Sequence, residues 1–423
     1  MLKKIPHRHH FYLLFPNIFG YMGGIQVYSA VLLRTLQDLY PTAEYDVFLK
    51  YDHPDTKNLQ NLTFLPQTRF HYFGQSHGDP HPWRRYGMAA VAAAKIVSMG
   101  IWQRPTLILT THPDLYSVVF RWFKRLTGVP YWVVLHGLEA WSIQNPILKS
   151  ALSHANQAIA VSYYTRDRVL TQGYLDPNQV SVLPNTFDGS AFQIQPKPDY
   201  LLKRYGLSPE QPVILTVTRL QQYKGYDQIL NALPQIRQQI PNVHYILAGK
   251  GSEQTRIEAL ISHLGLEDCV TLAGYIPKHE LQDHYNLCDV FAMPSKGEGF
   301  GIVYLEALAC GKPVLAGNKD GAVDPLGHGE LGCLVDPDDG EAIAQNLIQI
   351  LQGTYPHPLM YQPQQLRRKA IERFEYSRFR QTLRGMMQRF EANAGSNQPE
   401  VVYHPTVDTE QEDQGTQGNV YPL

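Results

Sequence analysis

Three features of the sequence predict an α/β chain built as two Rossmann-like domains. Short apolar, β-branched or aromatic runs alternate with amphipathic ones almost from end to end, this series restarts once near the middle, and 423 residues are enough for two separate cores. Strands that are apolar on both faces and separated by helical segments belong to parallel sheets, so each series predicts one doubly wound domain.

In the first series the strands are expected at 11–15 (FYLLF), 45–49, 106–110, 131–135 and 157–161. Between the first two, Ile25, Tyr28, Val31, Leu32, Leu36 and Leu39 recur at helical spacing over 25–39. The second series places strands at 213–218, 243–248, 269–273, 289–293, 313–316 and 332–335. The Pro- and Gln-containing stretch 191–200 separates the series, giving an N-terminal domain at 1–195 and a C-terminal domain at 196–371. Residues 372–390 read as one last helix. Residues 391–423, with six acids, no Lys or Arg and few aliphatics, read as an acidic, disordered tail.

The net charge of −1 hides an uneven distribution, because residues 1–195 carry 17 Lys and Arg against 11 Asp and Glu. That excess suits an anionic membrane face or an anionic acceptor, and equally an ordinary fluctuation of surface charge. No nucleic-acid partner is expected. Cys269, Cys288, Cys310 and Cys333 form no CxxC pair and read as reduced, buried thiols. The run FYLLF is too short for a signal-peptide core, and no stretch of about 18 apolar residues could span a membrane. The expectation is therefore a cytoplasmic chain, peripheral at most on the inner face of the membrane.

Three places concentrate chemistry. Gly23 and Gly24 sit between the first strand and its helix, where a bare backbone lets a ligand approach and the helix N-terminus favours an anion, although a tight turn uses glycines as well. This is not a GxGxxG fingerprint, which disfavours a nicotinamide enzyme. Arg219 ends a strand and Lys224–Gly225 opens the next helix; two cations there suit a diphosphate, or are solvated surface charges. In PSKGEGFGIVYLEALACGKPV (294–314), Glu298 sits in a Gly-rich loop before a helix and Glu306 stands eight positions on, which as helical spacing places both on the same side, one at the helix entry and one two turns in. Glu306, among Ile302, Val303, Leu305, Ala307 and Leu308, is costly to bury without a partner, and a ribose diol offers two donors. The alternative is a capping glutamate and a second one paired to a lysine. The DPDDG turn at 336–340 and HRHH at 7–10 read as solvated turn acids and a pre-strand basic run, not as metal sites.

In this order the motifs resemble glycosyltransferase family 4, a retaining family of GT-B architecture whose two Rossmann-like domains face each other across a cleft. The similar pieces run over 11–390: Gly23–Gly24, His136–Gly137, AVSYYTRDRV (160–169), LPNTFD (183–188), TRL…KG (218–225), AGKG (248–251), GYIP (274–277), Glu298 with Glu306, and GCLVDPD (332–338). The resemblance implies a nucleotide-sugar donor, no cofactor and no metal. It places Arg219 and Lys224 on the donor diphosphate, facing the amides of Gly23 and Gly24, Glu298 on the donor sugar, Glu306 on the ribose, and His136 at the cleft floor. Glu298, Lys224, Arg219 and His136 are then the catalytic set. Main chain at Tyr275–Ile276 would flank the nucleobase, and Gly249, Gly299, Phe300, Gly301 and Ile302 complete the donor-binding set.

Asn185 and Thr165 would shape loops at the interdomain crevice. The last helix would cross back onto the N-terminal domain, which recognises the acceptor: a glycan, a lipid or a small molecule. Two departures stand out: His136 is followed by Gly137 where many relatives have Asp, and GAVD (321–324) replaces a commoner GG-x-E. The resemblance also leaves room for a sugar-nucleotide epimerase of the same architecture, or a non-catalytic nucleotide-sugar-binding subunit of a glycan-assembly complex. The segments 117–128 and 81–102 set bases among apolar residues, as an amphipathic helix on a membrane does, and as a core helix with snorkelling bases does too.

Overall fold

A computed structural model describes residues 9–20, 23–55, 63–74 and 82–395. The first sheet is built from β1 (His10–Phe15), β2 (Glu44–Leu49), β3 (Thr68–Tyr72), β4 (Leu107–Thr110), β5 (Tyr131–Leu135), β6 (Gln157–Ala160) and β7 (Val180–Val182). Its helices are α1 (Gly24–Leu39), α2 (Pro82–Gln103), α3 (Leu115–Thr127), the single turn α4 (Leu138–Trp141), α5 (Pro146–Ser153) and α6 (Tyr163–Leu170). The strands are parallel, in the order β3-β2-β1-β4-β5-β6-β7. β3 and β7 add to the expected strands. Both lie at sheet edges, where burial is partial, so TRFHY and VSV carry no apolar run for a sequence reading to find.

The second domain opens with α7 (Asp199–Tyr205) and continues through β8 (Val213–Val217), α8 (Tyr226–Gln239), β9 (His244–Ala248), α9 (Gln254–His263), β10 (Val270–Gly274) and α10 (Lys278–Leu287). It closes with β11 (Val290–Met293), α11 (Ile302–Ala309), β12 (Val314–Gly317), β13 (Cys333–Val335), α12 (Gly340–Leu351) and α13 (Pro363–Phe374). Its parallel sheet runs β10-β9-β8-β11-β12-β13. The stretch at 191–200 leans on this domain: the amides of Gln193 and Gln195 donate to Gln282 and Asn286 of α10.

Each core lies between sheet and helices. Tyr12, Ile108 and Tyr131 pack against Ile96, Phe120, Phe123 and Leu152 in the first, and Tyr245 and Val290 pack against Ile229, Leu233 and Leu347 in the second. In each sheet the chain changes direction of winding beside its first strand, between β1 and β4 and between β8 and β11. The crevice at such a switch point, at the carboxyl ends of the strands, is where this architecture accepts ligands.

The expected single helix 372–390 is two helices. α13 ends at Phe374, Glu375 is extended (φ −63°, ψ 157°) and bridges to Phe187, and α14 runs Tyr376–Gly395. Beyond the break, the Tyr376 hydroxyl donates to Asp38 (2.5 Å) and the Phe379 ring stands 5.5 Å from that of Tyr28. From Met386 on, the chain is a separate unit, described only as the last turns of α14. The expected tail thus begins inside a helix, and from residue 396 it lies outside the described residues. Of HRHH, His7 and Arg8 also lie outside them; His9 stacks on Phe11, and His10 pairs with the buried Asp46 (2.7 Å). Among the described residues no helix is long and apolar enough to cross a membrane.

Candidate active site

The loop after β1 is shaped by a carboxylate. Asp52 accepts from the amides of Ile18 (2.6 Å), Phe19 (2.9 Å) and Gly20 (2.8 Å), which turns the chain sharply before α1. Gly23 caps α1 in an extended conformation, its carbonyl accepting from the amides of Gln26 and Val27. A side chain at Gly24 would meet no atom of the described residues within 4 Å. The open space lies at the N-terminus of α1, whose partial positive charge favours an anion.

In the second domain, two loops are locked together. Gly225 caps α8 with φ 81°, and a Cβ there would lie 2.0 Å from the Pro294 carbonyl oxygen, so the loop after β8 rests on the loop after β11. Lys224, buried, forms an ion pair with Glu298. Arg219 is exposed at the end of β8.

The Glu298 loop has an anchor the sequence reading missed. Asp320 is fully buried and accepts from Ser295 Oγ (2.6 Å), the Glu298 amide (2.8 Å) and the Ala322 amide (3.0 Å). Burial pushes its carboxyl up to about 7, with these hydrogen bonds pulling the other way. An Asp capping a short turn was its only sequence signal.

The two glutamates do not share a helix. α11 begins at Ile302, behind Gly301 (φ 90°), so Glu298 precedes it by four residues and Glu306 lies little more than one turn in. The glycine-rich loop takes up the residues the eight-residue spacing had assigned to helix. Glu306 accepts from the Tyr285 hydroxyl (2.7 Å), and burial raises its carboxyl to about 7 against that bond and Lys278. The glutamate paired to a lysine is Glu298, and the lysine is Lys224.

The remaining expected residues divide by what their side chains touch. Phe300 is buried edge-on to Phe374 (5.6 Å), leaving only its main chain near the loop's open side. Gly249 (φ 145°) is required by packing, since a Cβ would lie 1.7 Å from the Thr218 carbonyl oxygen. Tyr275 is exposed, with the Lys250 ammonium 6.0 Å from its ring, and Ile276 and Ile302 are partly buried.

The domains meet at Gly299. A Cβ there would lie 1.6 Å from the His136 carbonyl oxygen, so the loop after β11 packs backbone to backbone on the end of β5. Thr165 accepts from Trp141 Nε1 (3.2 Å) and donates to the Gly299 carbonyl (3.4 Å). The Tyr164 amide donates to Asp324 (3.0 Å) and its hydroxyl to the Lys319 carbonyl (2.6 Å). The GAVD departure therefore has a structural account: Asp324 ties the two domains together.

His136 is 9% exposed, edge-on to Tyr28 at 5.0 Å, and its buried Nε2 has no hydrogen-bond partner among the described residues. Burial, with His112 nearby, pushes its pKa down to about 3 against a hydrogen bond with the Thr111 backbone, so the ring is neutral. A buried polar atom left unsatisfied costs about 1–3 kcal/mol, which a ligand hydroxyl would recover. Asn185 Oδ1 is buried and unpartnered in the same way. The Asp336 and Asp338 carboxylates of the DPDDG turn pair with Lys319 and Lys296, and Asp339 caps α12.

Two family models match the chain, one described as Glycosyltransferase Family 4 over residues 22–190 and one as Glycosyl transferases group 1 over 201–373, so together they span both domains. The chain belongs to glycosyltransferase family 4. Among family members, a GDP-mannose-dependent alpha-(1-6)-phosphatidylinositol monomannoside mannosyltransferase of Mycolicibacterium smegmatis is 36% identical over 223 residues, 49% of this chain and 57% of the relative. The match thus spans little more than half the length of that curated relative. An uncharacterized glycosyltransferase of Methanocaldococcus jannaschii is 29% identical over 78% of this chain and 85% of its own. The fold is that of Anabaena HepE solved with UDP and glucose (TM-score 0.72, 22% identical, covering 90% of this chain and 100% of that one). It is also that of sucrose-phosphate synthase from Thermosynechococcus elongatus (TM-score 0.75, 20% identical, 91% and 100%). These likenesses identify the two Rossmann-like domains of this family 4 member as a GT-B pair.

Proposed function

We propose that this protein is a retaining glycosyltransferase that moves a hexosyl group from a nucleoside-diphosphate sugar to a hydroxyl of a glycolipid, lipid-linked or polysaccharide acceptor. One observation carries the reading: Lys224 and Glu298, brought from separate loops into an ion pair, stand with exposed Arg219 at the switch point of the second sheet, and Gly299 of the same loop packs on His136. In transfer, the bond from the anomeric carbon to the diphosphate oxygen breaks and negative charge grows on that oxygen. Arg219 and Lys224 meet this charge, and the amides at the start of α1 face it from the other domain. Glu298, once Lys224 turns to phosphate, accepts from hydroxyls of the donor sugar. Neutral His136 offers Nε2 to another hydroxyl. Glu306, already holding one hydroxyl donor in Tyr285, accepts from the ribose.

Retention is assigned to same-face attack, with the departing phosphate taking the acceptor's proton. A covalent intermediate would need a free carboxylate under the sugar. Glu139, beside His136 in sequence, accepts from the His136 (2.6 Å) and Gly137 (3.1 Å) amides. No step is routed through a metal, because two side-chain cations serve the diphosphate. The names of the relatives support a nucleoside-diphosphate donor: one is GDP-mannose-dependent, and one fold neighbour was solved with UDP. The test is the anomeric coupling of the product, read by NMR from an α-configured donor. An α-linked product is expected; a β-linked product overturns the retaining mechanism, and free sugar alone overturns transfer.

A further inference from the structure

The connections β3–β4, β4–β5 and β5–β6 all step the same way across the first sheet. Right-handed crossovers therefore place α2, α3 and α5 side by side on one face, and their buried residues share one core. α2 crosses α3 where Gly100 meets the Phe123 ring. Lys95 and Arg125 are exposed on these helices, Arg121, Lys124 and Lys149 are partly exposed, and the three helix sequences contain no Asp or Glu.

They also carry seven of the twelve large hydrophobic side chains exposed among the described residues, which include Trp102 (89%), Leu126 (79%), Val91 (68%) and Trp122 (55%). On α3, Leu115, Trp122 and Leu126 recur at helical spacing on the side away from the buried Tyr116, Phe120 and Phe123. On α2, Val91, exposed Lys95 and Trp102 do the same away from Ala92 and Ile96. Arg125 lies over the Trp122 ring at 5.7 Å, so base and aromatic are presented together.

A solvated face would not gather this many exposed apolar groups, and a protein partner's apolar patch would not account for the lack of Asp and Glu along the three helices. Aromatic and aliphatic side chains interleaved with Arg and Lys fit the boundary between anionic headgroups and acyl chains. We infer that the face formed by α2, α3 and α5 docks on an anionic lipid bilayer, with Trp102, Trp122 and Leu126 entering the acyl boundary and Lys95, Arg121 and Arg125 on the headgroups. This inference stands apart from the proposed activity, because none of these residues belongs to the donor site.

The full chain would be sedimented with vesicles of phosphatidylcholine alone, and with vesicles containing phosphatidylglycerol at about a third of the lipid. Binding is expected to the anionic vesicles only and to weaken as salt rises. Each base near such a surface contributes about fivefold to binding, so Arg121→Ser/Arg125→Ser should bind roughly 25-fold more weakly. In Trp102→Ser/Trp122→Ser, binding and the quenching of tryptophan fluorescence by brominated lipid should both be lost. Nucleotide-sugar stabilisation, read in parallel, should be unchanged in both variants, which separates this inference from the donor site. Equal binding to both vesicle types, binding to neither, or wild-type binding by the two variants would overturn it.

Discussion

Lys224 and Glu298 each have two reasons to be where they are, and the residue scale separates them. As a pair they stabilise the contact between two loops; as single groups they are assigned phosphate and sugar. Removing one partner leaves the other partly buried and uncompensated, so Lys224→Met or Glu298→Gln alone should lower the thermal midpoint as well as turnover. The double variant Lys224→Met/Glu298→Gln should regain most of the midpoint while turnover stays about a hundred- to a thousand-fold down, the usual loss when transition-state stabilisation is removed. Recovery of turnover together with the midpoint would make the pair structural only.

Asp320 gives a pH signature. Its carboxyl titrates near 7 in the folded chain and near the ordinary carboxylate range when unfolded. The folded state therefore binds the extra proton between these values, and its share of stability is full in acid and lost as pH rises through about 7. Asp320→Asn should flatten that part of the midpoint–pH curve between about pH 4 and 7, and an unchanged slope would contradict the assignment. His136 was legible in the sequence as a strand-ending histidine. Its unpartnered Nε2 was not, because that depends on Tyr28 and Thr111, both distant in sequence.

Among the elements, the strands buried on both faces were legible because their apolar runs are uninterrupted. The edge strands β3 and β7 were not, since an edge strand needs few apolar residues. The break at Glu375 was hidden because the amphipathic pattern continues through it; the bridge to Phe187 that stops α13 is a long-range pairing. The spacing of Glu298 and Glu306 misled for a related reason, since glycines at 299 and 301 let the chain pass the positions without helix. Gly299 itself is a test at this scale. Ala at 299 would place a methyl 1.6 Å from the His136 carbonyl oxygen, and backbone on both sides leaves no flexible neighbour to yield. Gly299→Ala should therefore part the two loops, costing about 1–3 kcal/mol of stability and most of the transfer activity. A variant with wild-type midpoint and rate would show that the loops need not touch.

Over the whole molecule, the fold brings the loop after β11 onto the end of β5, where the proposed donor and acceptor would meet. Tyr164 holds this arrangement through Lys319 and Asp324, contacts that no single-domain reading could supply. Tyr164→Phe removes one hydrogen bond between the domains, worth about 0.5–1.5 kcal/mol. It should raise the donor KM by roughly two- to tenfold with little change in midpoint, as a titration of initial rates would reveal.

The central claim, that Arg219, Lys224 and Glu298 form a nucleotide-sugar site, is tested most directly by thermal stabilisation with UDP-, GDP- and ADP-sugars. The wild type and Lys224→Met/Glu298→Gln would be measured side by side. A donor at about a hundred times its Kd adds roughly 2.7 kcal/mol, a readable shift. The account predicts that one nucleotide series raises the midpoint of the wild type and not of the double variant; an equal rise in both, or none in either, would contradict it.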